Sequence, residues 1–211
     1  MLDGIHVVDF SQYLAGAGVT RMLAELGADI TKVEIGPTGD GGRLLPILKD
    51  QRSGFFIQHN RGKKSIALNW ERDEALEIAR DLASTADVVL ENFGTAETLR
   101  SRGLDYESIK ALNPGVIYIS VSAFGRTGPW ANKPGFDFIA QAASGLMHMT
   151  GSPGEPPGVV WSAIADNNAA VHGFAGLGYA LFHRERTGQG QFLDLAMVDC
   201  IFHHHEIALQ A

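Results

Sequence analysis

The stretch Val116-Ile117-Tyr118-Ile119-Ser120-Val121-Ser122 is almost entirely apolar. A strand with one wet face alternates apolar and polar side chains. A continuous apolar run instead reads as a strand covered on both faces, which implies a parallel sheet between helical layers. The remaining patterns agree. Residues 4–10 are β-branched, residues 19–26 are helical with Met22, Leu23 and Leu26 on one side, and residues 29–35 form a second strand after Gly27. Further strands read at 65–69, 87–93 and 191–197, and helices at 74–82 and 138–146, with a helical start from 198 to 211. This strand–helix alternation predicts an α/β fold, a Rossmann-like open parallel sheet with flanking helices.

Open sheets of this kind bind ligands outside the carboxyl ends of their strands. That directs attention to Leu14-Ala15-Gly16-Ala17-Gly18, read as a loop after the first strand, and to Asn92-Phe93 after the fourth. Asn92 is equally well explained as a turn former at a strand end. The Gly-x-Gly lacks the third glycine of a dinucleotide fingerprint, although Glu34 stands about where a ribose-binding acid would, so a nicotinamide cofactor is one alternative. No G-x-x-x-x-G-K-[ST] sequence supports a nucleotide triphosphate loop.

Residues 162–191 form the second organising feature. Ala170, Phe174, Leu177 and Leu181 follow the i, i+4, i+7, i+11 spacing of one apolar helix face. Gly173, Gly176 and Gly178 interrupt that helix, and such glycines usually mark close backbone approach. Asp166 reads as lying just before the helix, where Asp is a favoured N-cap and the amide dipoles favour its ionised form. A carboxylate so placed, beside small residues that leave room for a ligand, is also a candidate nucleophile. Asp137, at the start of the helix before, reads by default as that helix's cap.

With 211 residues the chain is long enough for one large domain or two small ones. Its net charge of −7 argues against a general nucleic-acid binder. Residues 36–64 nevertheless carry Arg43, Lys49, Arg52, Arg61, Lys63 and Lys64, a local cluster that suits either an anionic ligand or a solvated loop. A lone Cys200 in an apolar run fits a buried thiol in a reducing compartment. No signal peptide or membrane-length apolar run is evident, which points to the cytoplasm without membrane association. Three consecutive histidines, His203 to His205, would diverge by about 100° on a helix and suggest no metal site.

Asp9-Phe10-Ser11, ELGADITKVE at 25–34, Glu91-Asn92-Phe93-Gly94, SAFGRTGP at 122–129 and HRERTGQGQ at 183–191 occur in order. In these the chain resembles the family III CoA-transferases, which include formyl-CoA transferase, carnitine CoA-transferase relatives and α-methylacyl-CoA racemases. The resemblance implies that Asp166 is the catalytic carboxylate and passes through an aspartyl anhydride and an aspartyl–CoA thioester. It implies CoA contacts at Leu14, Ala15, Leu68, Asn92, Phe93 and Arg100, with Asp137 and Met197 lining the active site. Coenzyme A thioesters and organic acids are then substrates, with no permanently bound cofactor, and the assembly is an interlocked homodimer.

Within that resemblance, residues 1–211 correspond to the N-terminal part of the large domain, and the small domain lies outside them. Where the racemases carry Gly-His-Asp, this chain has Gly135-Phe136-Asp137, so one partner for two-base proton transfer is missing. Leu14 replaces a glutamine of the formyl-CoA transferases, and Ile35 replaces a basic residue. The loss of an amide donor at Leu14 argues against formyl or oxalyl specificity, and a dicarboxylate or other organic acid is the expectation, which no particular residue carries. A racemase-like activity and a non-catalytic CoA-binding or assembly piece are the alternatives.

Overall fold

The computed structural model describes residues 1–93 and 95–207. Gly94 of the Glu91–Gly94 motif, and residues 208–211 of the expected last helix, lie outside the described residues. Strand β1 (His6–Asp9) leads through α1 (Ala15–Glu25) to β2 (Asp29–Ile35). The basic excursion then holds a 3₁₀ turn (Gly41–Leu44), a hairpin of β3 (Leu48–Lys49) and β4 (Arg52–Ser53), and α2 (Gly54–Asn60). The chain continues as β5 (Lys64–Leu68), α3 (Asp73–Thr85), β6 (Val88–Glu91), α4 (Ala96–Ser101), α5 (Tyr106–Leu112) and β7 (Ile117–Ser122). It closes with α6 (Asp137–Ala143), α7 (Leu146–Met149), α8 (Ile164–Thr187), β8 (Phe192–Ala196) and α9 (Met197–Phe202).

Six strands form one sheet in the order β5-β2-β1-β6-β7-β8, and every neighbouring pair is parallel. The expected open parallel sheet is present. Successive strand residues enter different cores. Val7, Val88, Ile117 and Ile119 pack on the side of α1 and α8, whereas Val8, Val89 and Tyr118 pack on the side of α3 and α5. Ile117 and Ile119 are wholly buried. Each such side chain removed from water contributes roughly 1.5–3 kcal/mol, which explains why the β7 run tolerates so little polarity.

Helix α1 starts earlier than its periodicity suggested, because Ala15 to Gly18 are helical rather than a loop. The cause is tertiary. A Cβ on Gly16 would lie 2.5 Å from Ser11 Cβ and 2.7 Å from Leu90 Cδ2, and one on Gly18 would lie 2.9 Å from Ala170 Cβ. These glycines let α1 settle onto the sheet and onto α8. Gly173 serves the same contact from the α8 side, against Val19 and Leu195, but Gly178 faces open space and has no packing role. The helix expected at 138–146 is broken into α6 and α7 by Gly145, whose φ of 84° lies in the left-handed region.

Candidate active site

Strand order reverses direction between β1 and β6: the chain builds outward to β5 on one side and to β8 on the other. The loops leaving those two strands therefore diverge and leave a crevice at the carboxyl edge of the sheet. A cleft of about 220 Å³ occupies it. Its walls come from residues 12–15 after β1, Asn92 and Phe93 after β6, Val121 to Ala123 at the end of β7, and Gly135 and Phe136 before α6. Met197 and Asp166 complete it.

The β1 wall is held in a conformation its residues do not prefer. Tyr13 sits at φ 60°, left-handed for a bulky side chain. Its N–H donates to Asp40 Oδ1 at 3.0 Å, and the same oxygen accepts from Gly42 N–H at 2.7 Å. Asp40 is in turn paired at 2.9 Å with the buried Lys32 ammonium, which also donates to Ser11 carbonyl. Asn92 clamps the next turn: its Oδ1 accepts from Gln12 N–H at 2.8 Å and its Nδ2 donates to Gln12 carbonyl at 2.7 Å. The Tyr13 and Phe136 rings meet edge to face across the mouth, 5.7 Å between centroids.

Asp166 differs from the carboxylates around it. Asp9 and Glu34 are saturated with donors: Asp9 accepts from Ser11, Thr20 and Lys63, and Glu34 from Arg43, Ser65 and the Asp40 N–H. Their pKa values lie below the ordinary range, Glu34 at about 2, because these donors outweigh burial. The Asp166 carboxyl makes no hydrogen bond to the described residues, and it borders the cleft. Burial, joined by the negative charge of Asp137, pushes its pKa up to about 7.

The expectation of an N-cap that favours ionisation is thus corrected. Helix α8 begins at Ile164, after Ala163 at φ 48°, so Asp166 lies inside its first turn. Desolvation and a like charge outweigh the helix dipole there. Asp137 is also not the cap of its own helix. Its Oδ1 accepts from the N–H groups of Ala165, at 2.7 Å, and Asp166, at 3.3 Å, and so closes the start of α8.

The model of CoA-transferase family III matches residues 2–210. The chain belongs to that family. It is 40% identical to the succinate–glutarate CoA-transferase of Agrobacterium fabrum over 94% of this chain and 51% of that protein. It is 42% identical to the succinyl-CoA:mesaconate CoA-transferase of Haloarcula marismortui over 94% of this chain and 52% of that protein. The chain thus spans about half the length of the curated relatives it matches. Among solved structures, a CAIB/BAIF family protein from Brucella suis superposes with a TM-score of 0.93 at 40% identity, covering 99% of this chain and 56% of that one.

For a family III chain, the positions expected at the site fall into three groups. Leu14, Ala15, Asn92, Phe93 and Met197 share the cleft with Asp166, although the Asn92 amide is engaged in bracing Gln12. Asp137 stands behind the cleft rather than in its lining. Leu68 and Arg100 do not reach it: Leu68 is buried in the core on the α3 side, and exposed Arg100 lines a separate depression with Thr95, Ser101 and Asn132. A groove bordered by Asn92, Thr95 and Asn132 joins that depression to the cleft.

The bases of 36–64 are largely consumed within the protein. Arg43 pairs with Glu34, Arg61 with Glu25, Lys63 with Asp9 and Lys64 with Asp29. That pairing also removes Glu34 as a ribose acceptor, and Gly16 and Gly18 are occupied by helix packing, so the dinucleotide alternative has no residues left to carry it. Gln12, Tyr13, Ser122 and Phe136 line the cleft without having been singled out as contacts. For Tyr13 the signal is a backbone angle, which the residue type does not announce. Cys200 is buried and unpaired, as its apolar setting implied. Among the described residues no group of three or more His, Cys, Asp or Glu side chains is placed to hold a metal, and no helix is long and apolar enough to cross a membrane.

Proposed function

We propose that this chain carries the nucleophile of a CoA-transferase that moves CoA from an acyl-CoA donor to a carboxylic acid acceptor. The observation that carries the reading is the Asp166 carboxyl, unbonded at the edge of the switch-point cleft, with its pKa raised to about 7. At neutral pH about half of such a group is ionised, and its oxygen is more basic than an ordinary carboxylate, which favours attack on a thioester carbonyl.

The reaction proceeds by exchange at that carboxylate. An Asp166 oxygen adds to the donor carbonyl and the C–S bond breaks, giving a mixed anhydride and CoA thiolate. The thiolate attacks the Asp166 carbonyl, forming an aspartyl–CoA thioester and releasing the donor acid as its carboxylate. The acceptor carboxylate attacks that thioester, expelling the thiolate and forming a second anhydride. Attack of the thiolate on the acceptor's carbonyl then yields the new acyl-CoA and regenerates Asp166. No water and no external proton are consumed. The thiolate must stay bound throughout, so its return is effectively intramolecular. The groove from the cleft toward Arg100 suits an extended ligand whose remote end anchors the reacting end.

Short dicarboxylic acids are our proposed substrates, in line with the names of the Agrobacterium and Haloarcula relatives. A racemase-like reaction lacks support at the site, because Phe136 occupies the cleft edge where a second base would be needed. A non-catalytic CoA-binding role has no observation in its favour. The large-domain assignment, the interlocked homodimer and the cytoplasmic setting belong to the same reading. Asp166→Ala tests it. Transfer from succinyl-CoA is lost while CoA binding persists, and a variant that still transfers overturns the proposal.

A further inference from the structure

We propose that Asp137 is a positioning residue that fixes the Asp166 carboxylate in the cleft: it holds the Ala165 and Asp166 N–H groups itself and, through Gln141, the main chain at Val160 that leads to them. This rests on the reading of Asp166 as the nucleophile. The first N–H groups of a helix have no partners within it, and Ala163, at the N-cap position of α8, offers them no side-chain acceptor. Asp137, reaching across from α6, supplies the missing acceptor to Ala165 and Asp166 through Oδ1.

Its second oxygen is engaged as well. Oδ2 accepts from Gln141 Nε2, one turn along α6. Wholly buried Gln141 holds Val160 from both directions: Nε2 donates to its carbonyl at 2.9 Å and Oε1 accepts its N–H at 3.0 Å. The segment entering α8 and the first turn of α8 are therefore fastened to one turn of α6. Between the two points of attachment the backbone is unusual, with Ala163 at φ 48°. Such a conformation persists when its surroundings hold it, and the Asp137–Gln141 pair binds the chain on either side. Asp166 follows three residues later, so the clamp sets where its carboxylate enters the cleft. The same Asp137 charge contributes to the raised pKa of Asp166.

The test compares Asp137→Ala and Asp137→Asn with wild type in the full-length protein. Steady-state transfer from succinyl-CoA is measured together with amide hydrogen exchange at residues 165 and 166. Asp137→Ala removes the acceptor, so exchange at both amides accelerates about tenfold or more. kcat falls on the order of 100-fold, as for a displaced reacting group, while KM for the thioester stays close to wild type. Asp137→Asn keeps an oxygen for the two N–H groups and restores most of the protection. It removes the like charge, so the acid limb of the rate profile moves to lower pH.

Unchanged exchange in Asp137→Ala overturns the proposal, and so does a loss confined to KM. An unmoved acid limb in Asp137→Asn, the variant that keeps the proposal testable if Asp137→Ala does not fold, reduces Asp137 to an ordinary cap and overturns it as well. Asp166→Ala is assayed alongside. If it still transfers CoA the nucleophile reading fails, whereas the exchange data separately decide whether Asp137 grips the chain.

Discussion

The N–H of Asp166 donates to Oδ1 of Asp137 at 3.3 Å, so the anion that helps raise the Asp166 pKa also holds its main chain. Attraction to the backbone and repulsion of the side chain arise from one carboxylate. The arrangement keeps a second acid close to Asp166, which itself borders the cleft.

One consequence concerns stability. The Asp166 carboxyl titrates near 3.8 when unperturbed and near 7 in the fold. Between those values the folded state keeps a proton that the unfolded chain has released, so stability falls as pH rises through the window and the deficit is complete above about 7. Asp166→Asn removes this liability. It should raise unfolding stability by roughly 2–4 kcal/mol at pH 8 through the linked titration. At pH 3.5, where the folded wild type is protonated and the unfolded chain mostly so, the two proteins should differ little. Urea melts at the two pH values check it, and an equal effect at both would refute it.

Helix glycines give a second prediction. Gly16→Ala forces a methyl into Ser11 and Leu90 at less than 3 Å, and should destabilise by about 1–3 kcal/mol. Gly178→Ala, in exposed helix with nothing within 4 Å, should stabilise by up to about 1 kcal/mol. Thermal unfolding of the pair reads the opposite signs directly.

The Lys32–Asp40 pair supports the cleft wall from beneath. Asp40→Ala strips the buried ammonium of its carboxylate and leaves the Tyr13 and Gly42 N–H groups without their acceptor. A cost of about 3–5 kcal/mol is expected for breaking a buried pair. Asp29→Ala breaks the exposed Lys64 pair and should leave the urea midpoint close to wild type. Similar midpoints for the two variants would contradict the role assigned to Asp40.

Much of this architecture was legible in the residues. The unbroken apolar run of β7 demands two covered faces, and strand–helix alternation orders the chain so that a crevice opens beyond β1 and β6. The start of α8 was not legible, because it depends on Ala163 adopting a left-handed conformation that no side chain signals. The cap position that the sequence suggests for Asp166 is therefore filled by Ala163, and Asp166 lies in the first turn. The bases of 36–64 looked available for phosphate because their partners, Asp9, Glu25, Asp29 and Glu34, lie elsewhere in the sequence and meet them only in the fold. Asp137 was misassigned for the same reason: its partners are Ala165 and Asp166, across a helix boundary. Leu68 and Arg100 were carried by resemblance alone, and neither stands in the cleft with Asp166.

The most direct measurement is peptide-mapping mass spectrometry of the protein after brief mixing with succinyl-CoA and acid quench. An acyl or CoA adduct is expected on the peptide containing Asp166, absent from Asp166→Ala. Transfer activity accompanied by an adduct on a different residue, or by an adduct that survives in Asp166→Ala, would contradict it.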